Sequence, residues 1–326
     1  MQHSEPVDPG LSPLLRATGL GKSFPGVQAL SGVNFDLFAG EVHCLIGENG
    51  AGKSTLMKIL GGVYQKDEGV IEIDGAKVEI AAPSDAGDRG IAMIHQELSL
   101  INELTVAGNI FLGRELRHGA TPFVNKREMA RQVRAQLDRF GLTLDPNRKV
   151  ADLNSGEKQI VEIIRALMSD AWLIVMDEPT SALSEEDKEM LFDFIRKMKE
   201  EGIAIIYISH HMPEIFSIAE QVTVMRDGVI VLSERTAASS EDHVIRSMTG
   251  AELDHFVKPH KEITGKTILT VENLTHPGAY EDISFNVHEG EIVVMTGLRG
   301  WSLRTYWEGI GWVAGSTGNT PAIAPE

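Results

Sequence analysis

The sequence lacks several features, and each absence excludes a class of protein. Its longest apolar runs, "WLIVM" at 172–176 and "IAIIYI" at 203–208, are far shorter than the roughly 18 residues that a membrane-spanning helix needs. A single cysteine, Cys44, rules out an internal disulfide and predicts a small buried hydrophobic side chain. Basic residues are outnumbered, with Lys+Arg 30 against Asp+Glu 47 and a net charge of −17. This balance disfavours a broad nucleic-acid-binding surface and direct attraction to anionic lipid.

The N-terminal residues are polar and proline-rich and lack the apolar core of a signal peptide. We therefore expect residues 1–13 to be a short disordered lead and the protein to be cytoplasmic. At 326 residues with 42% hydrophobic composition, the chain is long enough for two domains, or for one large domain plus a fragment.

A glycine-rich segment, "GENGAGKST" at 47–55, matches the phosphate-binding pattern G-x-x-x-x-G-K-[ST] at every fixed position. The apolar run at 41–47 predicts a buried strand before it, and "KSTLMKIL" at 53–60 predicts the helix that follows. Backbone N–H groups and the helix N-terminus then point at one anion, so the β- and γ-phosphates of a nucleotide can replace water there. Lys53 would reach the phosphate oxygens and Ser54 would hold Mg²⁺. The competing interpretation is a strand-to-helix turn that binds no ligand.

Short apolar strands alternate with helical patterns from Leu14 to about Thr249, which predicts an α/β fold with a mostly parallel sheet. In "SEEDKEMLFDFIRKMKEEG" (184–202) apolar residues recur at helical spacing, Ser184 is placed to cap the start, and Gly202 to end it.

Residues 97–168 are mainly helical in pattern, which predicts a helical subdomain inserted into the sheet domain. The basic residues of its segment 124–141 fit a solvated helix face, and an anionic partner is the alternative. The apolar residues at helical spacing in that segment are Met129, Val133, Leu137 and Phe140. The first domain is expected to end near residue 254, and residues 255–266 are expected to be a linker.

Polar side chains follow several of the predicted strands. "LIVMDEPTSAL" (173–183) carries Asp177 and Glu178 at the end of a hydrophobic strand, where Asp177 would support Mg²⁺ and Glu178 would polarise an attacking water. Gln96 and His210 also follow apolar runs, and parallel strand ends face one ligand crevice. The alternative interpretations are an acidic pair that begins a loop and two solvated loop residues.

The chain begins to repeat itself after the linker. With an offset of 250, residues 29–50 lie over 279–300 and keep alanine, phenylalanine, Gly-Glu and both loop glycines in register, which predicts a duplication. After Gly300, "WSLR" stands where the first copy has "AGKS". We interpret 267–300 as the start of a second copy and 301–326 as an aberrant, disordered tail read in a shifted frame. A natural divergent tail is the alternative.

Together these motifs resemble the ATP-binding subunits of ABC transporters, and among them the duplicated ATPases of bacterial ribose/galactose-type sugar importers. The resemblance covers about residues 14–300. Its motifs are "KSFPGVQAL" (22–30), "GENGAGKST" (47–55), "IHQELSL" (94–100), "LNSGEKQIVEIIRAL" (153–167), "MDEPTSAL" (176–183) and "YISHH" (207–211). It implies a P-loop NTPase domain over 14–254, with the helical subdomain and an antiparallel β element, followed by an incomplete second copy.

The resemblance also implies roles for individual residues. Phe24 would stack on adenine, with a packed core aromatic as the alternative, Gln96 would sense Mg²⁺ and signal to the membrane subunit, and His210 would contact the γ-phosphate. The residues assigned to ATP are Phe24, Gly47, Glu48, Asn49, Gly50, Ala51, Gly52, Lys53, Ser54, Thr55, Asn154, Ser155, Gly156 and Glu157. The residues assigned to catalysis are Glu178, His210 and Gln96, and those assigned to Mg²⁺ are Ser54, Gln96 and Asp177.

"LNSGE" corresponds to the signature usually written LSGGQ, which opens a helix that faces the ATP held by an opposite domain. Asn154 replaces the usual serine and Ser155 the first glycine. Asparagine can donate to a phosphate, but its larger amide and the added Cβ of Ser155 alter the fit.

The resemblance implies an ATP-hydrolysing, energy-coupling subunit of an ABC importer for a monosaccharide of the ribose/galactose/xylose type. It would lie on the cytoplasmic face of the bacterial inner membrane. The implied partners are membrane-embedded permease subunits, through them a periplasmic sugar-binding protein, and another ATPase domain in trans, with no nucleic acid. The alternatives are a truncated nucleotide-binding product without a working pair, and a soluble ABC ATPase acting on ribosomes or DNA. The acidic balance and the short linker disfavour the latter.

Overall fold

The computed structural model describes residues 12–119, 121–250, 265–276, 280–291 and 293. The chain divides into two compact units, Met1–Leu253 and Asp254–Glu326. Most of the predicted disordered lead, the predicted aberrant tail at 301–326 and most of the predicted linker lie outside the described residues.

The described strands are β1 (Leu15–Phe24), β2 (Val27–Leu37), β3 (Val42–Ile46), β4 (Glu68–Ile73), β5 (Ala76–Val78), β6 (Ile91–Ile94), β7 (Leu173–Asp177), β8 (Ala204–Ile208), β9 (Gln221–Arg226), β10 (Val229–Arg235), β11 (Thr267–His276) and β12 (Tyr280–His288). The described α-helices are α1 (Lys53–Leu60), α2 (Pro83–Asp88), α3 (Val106–Ile110), α4 (Lys126–Arg139), α5 (Ser155–Leu167), α6 (Glu185–Glu200), α7 (Met212–Ile218) and α8 (Glu241–Thr249).

A six-stranded sheet, with strand order β10-β9-β3-β8-β7-β6, forms the centre of the first unit. Every neighbouring pair is parallel except β10 and β9. All residues of β3 and β8 are buried, as expected for parallel strands covered on both faces. A second sheet, with order β2-β1-β4-β5, is antiparallel throughout. The predicted α/β fold with a mostly parallel sheet and an antiparallel β element is therefore confirmed.

The helical insertion lies between β6 and β7 and contains α3, α4 and α5. Met129, Val133 and Leu137 form the buried face of α4, and Phe140 packs edge-on against Phe194 of α6, with ring centroids 5.0 Å apart. Each such buried side chain contributes roughly 1.5–3 kcal/mol to the free energy of unfolding. The insertion is thus held to the sheet domain by its apolar stripe.

Helix α6 has the predicted cap and the predicted buried face. Ser184 is its N-cap residue and accepts a hydrogen bond from the Asp187 backbone N–H, and Gly202 follows two residues after the helix ends. Cys44 of β3 is fully buried, as its place in a central strand predicted.

The second unit contains a β-hairpin whose pairing repeats that of β1 and β2. Leu269 pairs with Val287 and Leu274 with Ile283, and the register shifts between Val271 and Leu274. The corresponding pairs and shift in the first hairpin are Leu15 with Leu37, Leu20 with Val33, and a shift between Ala17 and Leu20. The prediction of an incomplete second domain copy extends beyond this hairpin and stays a prediction.

Candidate functional site

The carboxyl ends of the parallel strands bring the predicted site residues to one edge of the central sheet. The phosphate-loop segment follows β3, Gln96 follows β6, Asp177 ends β7, and His210 follows β8. Because parallel strands all end at the same edge, the loops that leave them converge there. The site is therefore assembled from four segments that are far apart in sequence.

The segment at 47–55 forms a cradle around the start of α1. Lys53 is the first helical residue, and its Nζ donates to the backbone carbonyls of Gly47 at 2.6 Å and Glu48 at 3.0 Å. Burial lowers the pKa of Lys53, and the carboxylates of Asp177 and Glu178 oppose that shift. The ammonium group is therefore held by two carbonyls of the loop and feels the charges of two acidic residues.

Gly47, Gly50 and Gly52 of this loop all have positive φ angles, and the last two lie well inside the region that favours glycine. Gly50 and Gly52 have φ angles of 87° and 104°. A Cβ at Gly52 would lie 2.7 Å from the carbonyl oxygen of Ala29, whereas a Cβ at Gly50 would meet open space. The loop can therefore approach β2 closely only with glycine at residue 52.

A cavity of about 400 Å³ opens beside the loop. Its lining residues are Phe24, Val27, Ala29, Asn49, Gly50, Ala51, Gly52, Lys53, Ser54 and Thr55. The ring of Phe24 is half-buried and meets Tyr64 edge-on, with centroids 5.2 Å apart and planes at 67°. This leaves an aromatic surface beside a loop of backbone donors, an arrangement suited to a nucleobase next to phosphates. Tyr64 was missed by the sequence reasoning, since no motif or periodicity marks it.

The acidic pair at the end of β7 combines a raised pKa at Asp177 with an uncommon backbone conformation at Glu178. Burial, and next the neighbouring Glu178 carboxylate, raise the pKa of Asp177, while His95, Lys53 and Lys58 oppose this. Glu178 has φ 47°, a left-handed conformation that is uncommon for a residue with a Cβ. Strained backbone conformations of this kind cluster at functional sites, where contacts with the surrounding structure hold them in place.

Glu178 is the residue on which the other predicted catalytic side chains converge. Its Oε1 lies 3.0 Å from Nδ1 of His210, and its Oε2 lies 3.5 Å from Nε2 of Gln96. The Glu178 backbone N–H donates to the Ile208 carbonyl at 2.9 Å, which joins the ends of β7 and β8. The structure thus brings Gln96, Glu178 and His210 together.

The residues present fit a hard divalent cation. Among the described residues, no group of three or more His, Cys, Asp and Glu side chains could hold a metal ion. Mg²⁺, however, commonly takes one or two carboxylates together with phosphate oxygens and water. Asp177, whose pKa is raised by burial and by a second carboxylate, is an undercompensated negative charge of the kind that such a cation relieves. Ser54 and Gln96 offer further oxygen ligands.

The predicted signature segment forms the N-terminus of α5. Asn154 is the N-cap residue, and its Oδ1 accepts from the Glu157 N–H at 2.7 Å while Glu157 Oε2 accepts from the Asn154 N–H at 2.9 Å. Arg148 donates to both oxygens of Glu157 at 2.6 and 2.9 Å. Asparagine in place of serine therefore still makes the capping box. The Arg148 clamp was missed, because nothing in the local pattern links it to Glu157.

The structure does not bring the signature segment to the phosphate loop. Among the described residues, no hydrogen bond or ion pair joins 154–157 to 47–55. Within the described part of the chain, the capped end of α5 therefore makes no polar contact with the phosphate loop.

Comparison with known proteins places this geometry in a family. The family model described as ABC transporter matches residues 30–181. A ribose/galactose/methyl galactoside import ATP-binding protein of Burkholderia cenocepacia is 48% identical over 289 residues, which cover 88% of this chain and 56% of that protein. The ribose import ATP-binding protein RbsA of Bacillus licheniformis is 44% identical over 279 residues, which cover 86% of this chain and 56% of the RbsA chain.

The chain spans little more than half the length of the curated relatives that it matches. Among solved structures, the nucleotide-free ATP-binding cassette of an ABC transporter aligns with a TM-score of 0.63 and 27% identity. That alignment covers 74% of this chain and 96% of the solved one. Sequence relatives and solved structures agree on the identification, and residues 30–181 of the chain belong to the ABC transporter family.

Proposed function

We propose that this chain binds ATP with Mg²⁺ and hydrolyses it as the energy-coupling subunit of an importer for a monosaccharide of the ribose/galactose/xylose type. The observation that carries the proposal is geometric: the loop after β3 holds Lys53 Nζ at the Gly47 and Glu48 carbonyls, and the loops after the neighbouring parallel strands bring Gln96, Glu178 and His210 together. The relatives named as ribose and galactose import proteins support the substrate class.

Different residues of the chain have different roles in phosphoryl transfer, which depends mainly on positioning and electrostatic stabilisation. Backbone N–H groups of the loop and the Lys53 ammonium bind the phosphates, and Phe24 packs against the base. Glu178 orients the attacking water, and His210, which contacts Glu178 at 3.0 Å, would also contact the γ-phosphate. Ser54, Gln96 and Asp177 would hold Mg²⁺, which supplies positive charge to the phosphate oxygens.

The remaining parts of the proposal concern partners. Since the capped end of α5 makes no described contact with the loop of the same chain, we propose that Asn154 and Glu157 face an ATP held by another ATPase domain in trans. The importer would further contain membrane-embedded permease subunits and a periplasmic sugar-binding protein, with this subunit peripheral on the cytoplasmic face of the inner membrane. No helix within the described part of the chain is long and apolar enough to cross a membrane.

The test of ATP binding is a titration of the full chain with a fluorescent ATP analogue in the presence of Mg²⁺. Lys53→Ala should abolish binding, because it removes the charge at the loop mouth. Lys77→Ala, which removes an exposed lysine from β5 of the other sheet, is the matched control and should bind like the unmodified chain. Equal binding by both variants would refute the site assignment.

The test of pairing is the ATP turnover per chain, measured over a wide range of chain concentrations. A rate that rises steeply with concentration supports two domains acting in trans. A rate per chain that is constant from the lowest concentration would contradict the trans arrangement. Binding without turnover at every concentration would favour the alternative, an ATP-binding chain that forms no working pair.

A further inference from the structure

A buried carboxylate lies behind the site and has no part in the proposed function. Glu214 of α7 is only 7% exposed, and its Oε2 accepts hydrogen bonds from three hydroxyl groups. The donors are Thr180 Oγ1 at 2.8 Å, Tyr207 Oη at 3.1 Å and Ser209 Oγ at 3.3 Å. The other carboxylate oxygen, Oε1, lies 3.4 Å from Nζ of Lys188 on α6. Four segments of the chain therefore meet at one side chain.

Two of the three hydroxyl donors belong to the segments that carry the catalytic side chains. Thr180 comes two residues after Glu178, and Ser209 immediately precedes His210. Ser209 Oγ also accepts from the His211 backbone N–H at 3.1 Å, which fixes the turn that presents His210. A single carboxylate oxygen thus connects the loop after β7 to the loop after β8.

These two loops need such a connection, because their catalytic side chains have little support of their own. The His210 side chain is 57% exposed, and Glu178 occupies a left-handed backbone conformation that the surroundings must impose. A displacement of about 1 Å at a catalytic group can cost roughly a hundredfold in rate. The hydrogen bonds to Glu214 act on the backbone positions from which Glu178 and His210 project.

We propose that Glu214 is a positioning residue, which holds Glu178 and His210 in contact through the hydroxyl groups of Thr180 and Ser209. This inference rests on the proposed function, since it assigns Glu214 to the hydrolytic step rather than to nucleotide binding. Tyr207 supplies an internal control. Its hydroxyl bonds to the same oxygen, but it projects from strand β8 and burial raises its pKa, so it is a neutral donor on the rigid sheet.

The first readout is spectroscopic and does not require turnover. It is the proton resonance of the His210 imidazole Cε1–H group in the full chain, assigned by its loss in His210→Gln. Glu178→Gln removes the direct partner and defines the resonance of a released imidazole. Thr180→Val and Ser209→Ala should move the His210 resonance towards that position. Both are small changes that keep the buried volume, so they test the idea even where a Glu214 variant fails to fold.

The matched control is Tyr207→Phe, which removes one hydroxyl from the same carboxylate oxygen while Thr180 Oγ1 and Ser209 Oγ keep their hydrogen bonds to it. It should leave the His210 resonance in place. Glu214→Gln, which keeps the side-chain size, should move the resonance in the same direction as the loop variants. An unmoved resonance in Thr180→Val and Ser209→Ala, or an equal movement in Tyr207→Phe, would overturn the proposal.

The second readout separates kcat from the affinity for ATP. The loop variants should lower kcat by about tenfold or more, as expected for misplaced catalytic groups, while the Kd for ATP stays unchanged. A parallel loss of affinity would overturn the positioning role. A failure of the unmodified chain to hydrolyse ATP would contradict the proposed function alone, since the His210 resonance still decides the role of Glu214.

Discussion

Substituting the two left-handed glycines of the phosphate loop by alanine should have unequal effects on stability. An L-residue in the left-handed region costs roughly 1–2 kcal/mol, and both Gly50→Ala and Gly52→Ala incur this cost. Only at Gly52 does the new Cβ meet other atoms, at 2.7 Å from the Ala29 carbonyl oxygen and 2.9 Å from Leu30 Cδ2. Overpacking of this kind adds about 1–3 kcal/mol. We therefore expect a loss of about 2–5 kcal/mol for Gly52→Ala against about 1–2 kcal/mol for Gly50→Ala.

Urea unfolding of the two variants, followed by tryptophan fluorescence and by circular dichroism, measures this difference. The two alanines add the same methyl group two residues apart in one loop, so each serves as the control for the other. Ala29 also lines the nucleotide cavity, and relief of the contact must move either β2 or the loop. Gly52→Ala should therefore also weaken ATP binding more than Gly50→Ala does. Equal losses of stability in the two variants would refute the close approach of the loop to β2.

Three further changes test other parts of the site. Asp177→Asn should raise the stability at neutral pH while weakening binding of ATP with Mg²⁺. Burial and Glu178 raise the pKa of Asp177 in the folded chain, so the ionised carboxylate of the unmodified chain disfavours folding above that pKa. The stability advantage of Asp177→Asn should therefore disappear as the pH falls through the folded-state pKa of Asp177. Melting curves across pH check this, and a gain that grows on acidification would contradict it. Phe24→Ala should weaken ATP binding by about 1–3 kcal/mol in a competition titration, because the proposed stacking of the ring on the base would be lost. An unchanged affinity would show that the Phe24 ring serves core packing instead. Arg148→Ala, which removes the ion pair with Glu157, should lower the ATP turnover and leave the affinity for ATP unchanged. Equal losses of turnover and affinity would instead indicate that the signature segment belongs to the ATP-binding site of the same chain.

Much of the fold followed from local patterns in the sequence. The phosphate loop has a fixed motif between an apolar strand and a helix, and α1 begins at Lys53 where that motif predicts. Helix α6 has a strong apolar stripe and a Ser184 cap, and both formed as predicted because neither depends on distant residues. The convergence of Gln96, Glu178 and His210 followed from one topological rule, that parallel strands end at the same edge.

The parts that were not predicted depend on contacts between residues far apart in the chain. Tyr64 meets Phe24 edge-on although 40 residues separate them in the chain, and no periodic signal marks either side chain as a partner of the other. Glu214 looks like an ordinary acidic residue near the start of a short helix, and only the folded chain brings three hydroxyl groups onto its oxygen. Capping boxes and apolar stripes are local, whereas these clusters are set by tertiary packing.

The most direct test of the account compares ATP binding and ATP hydrolysis in Glu178→Gln. The amide keeps the size of the carboxylate and removes its capacity to accept a proton from water, so it should leave ATP affinity within about twofold while lowering turnover by at least about a hundredfold, as expected for a catalytic base. Binding with turnover equal to that of the unmodified chain would contradict the central claim, that Glu178 at the end of β7 acts on an ATP held by the phosphate loop.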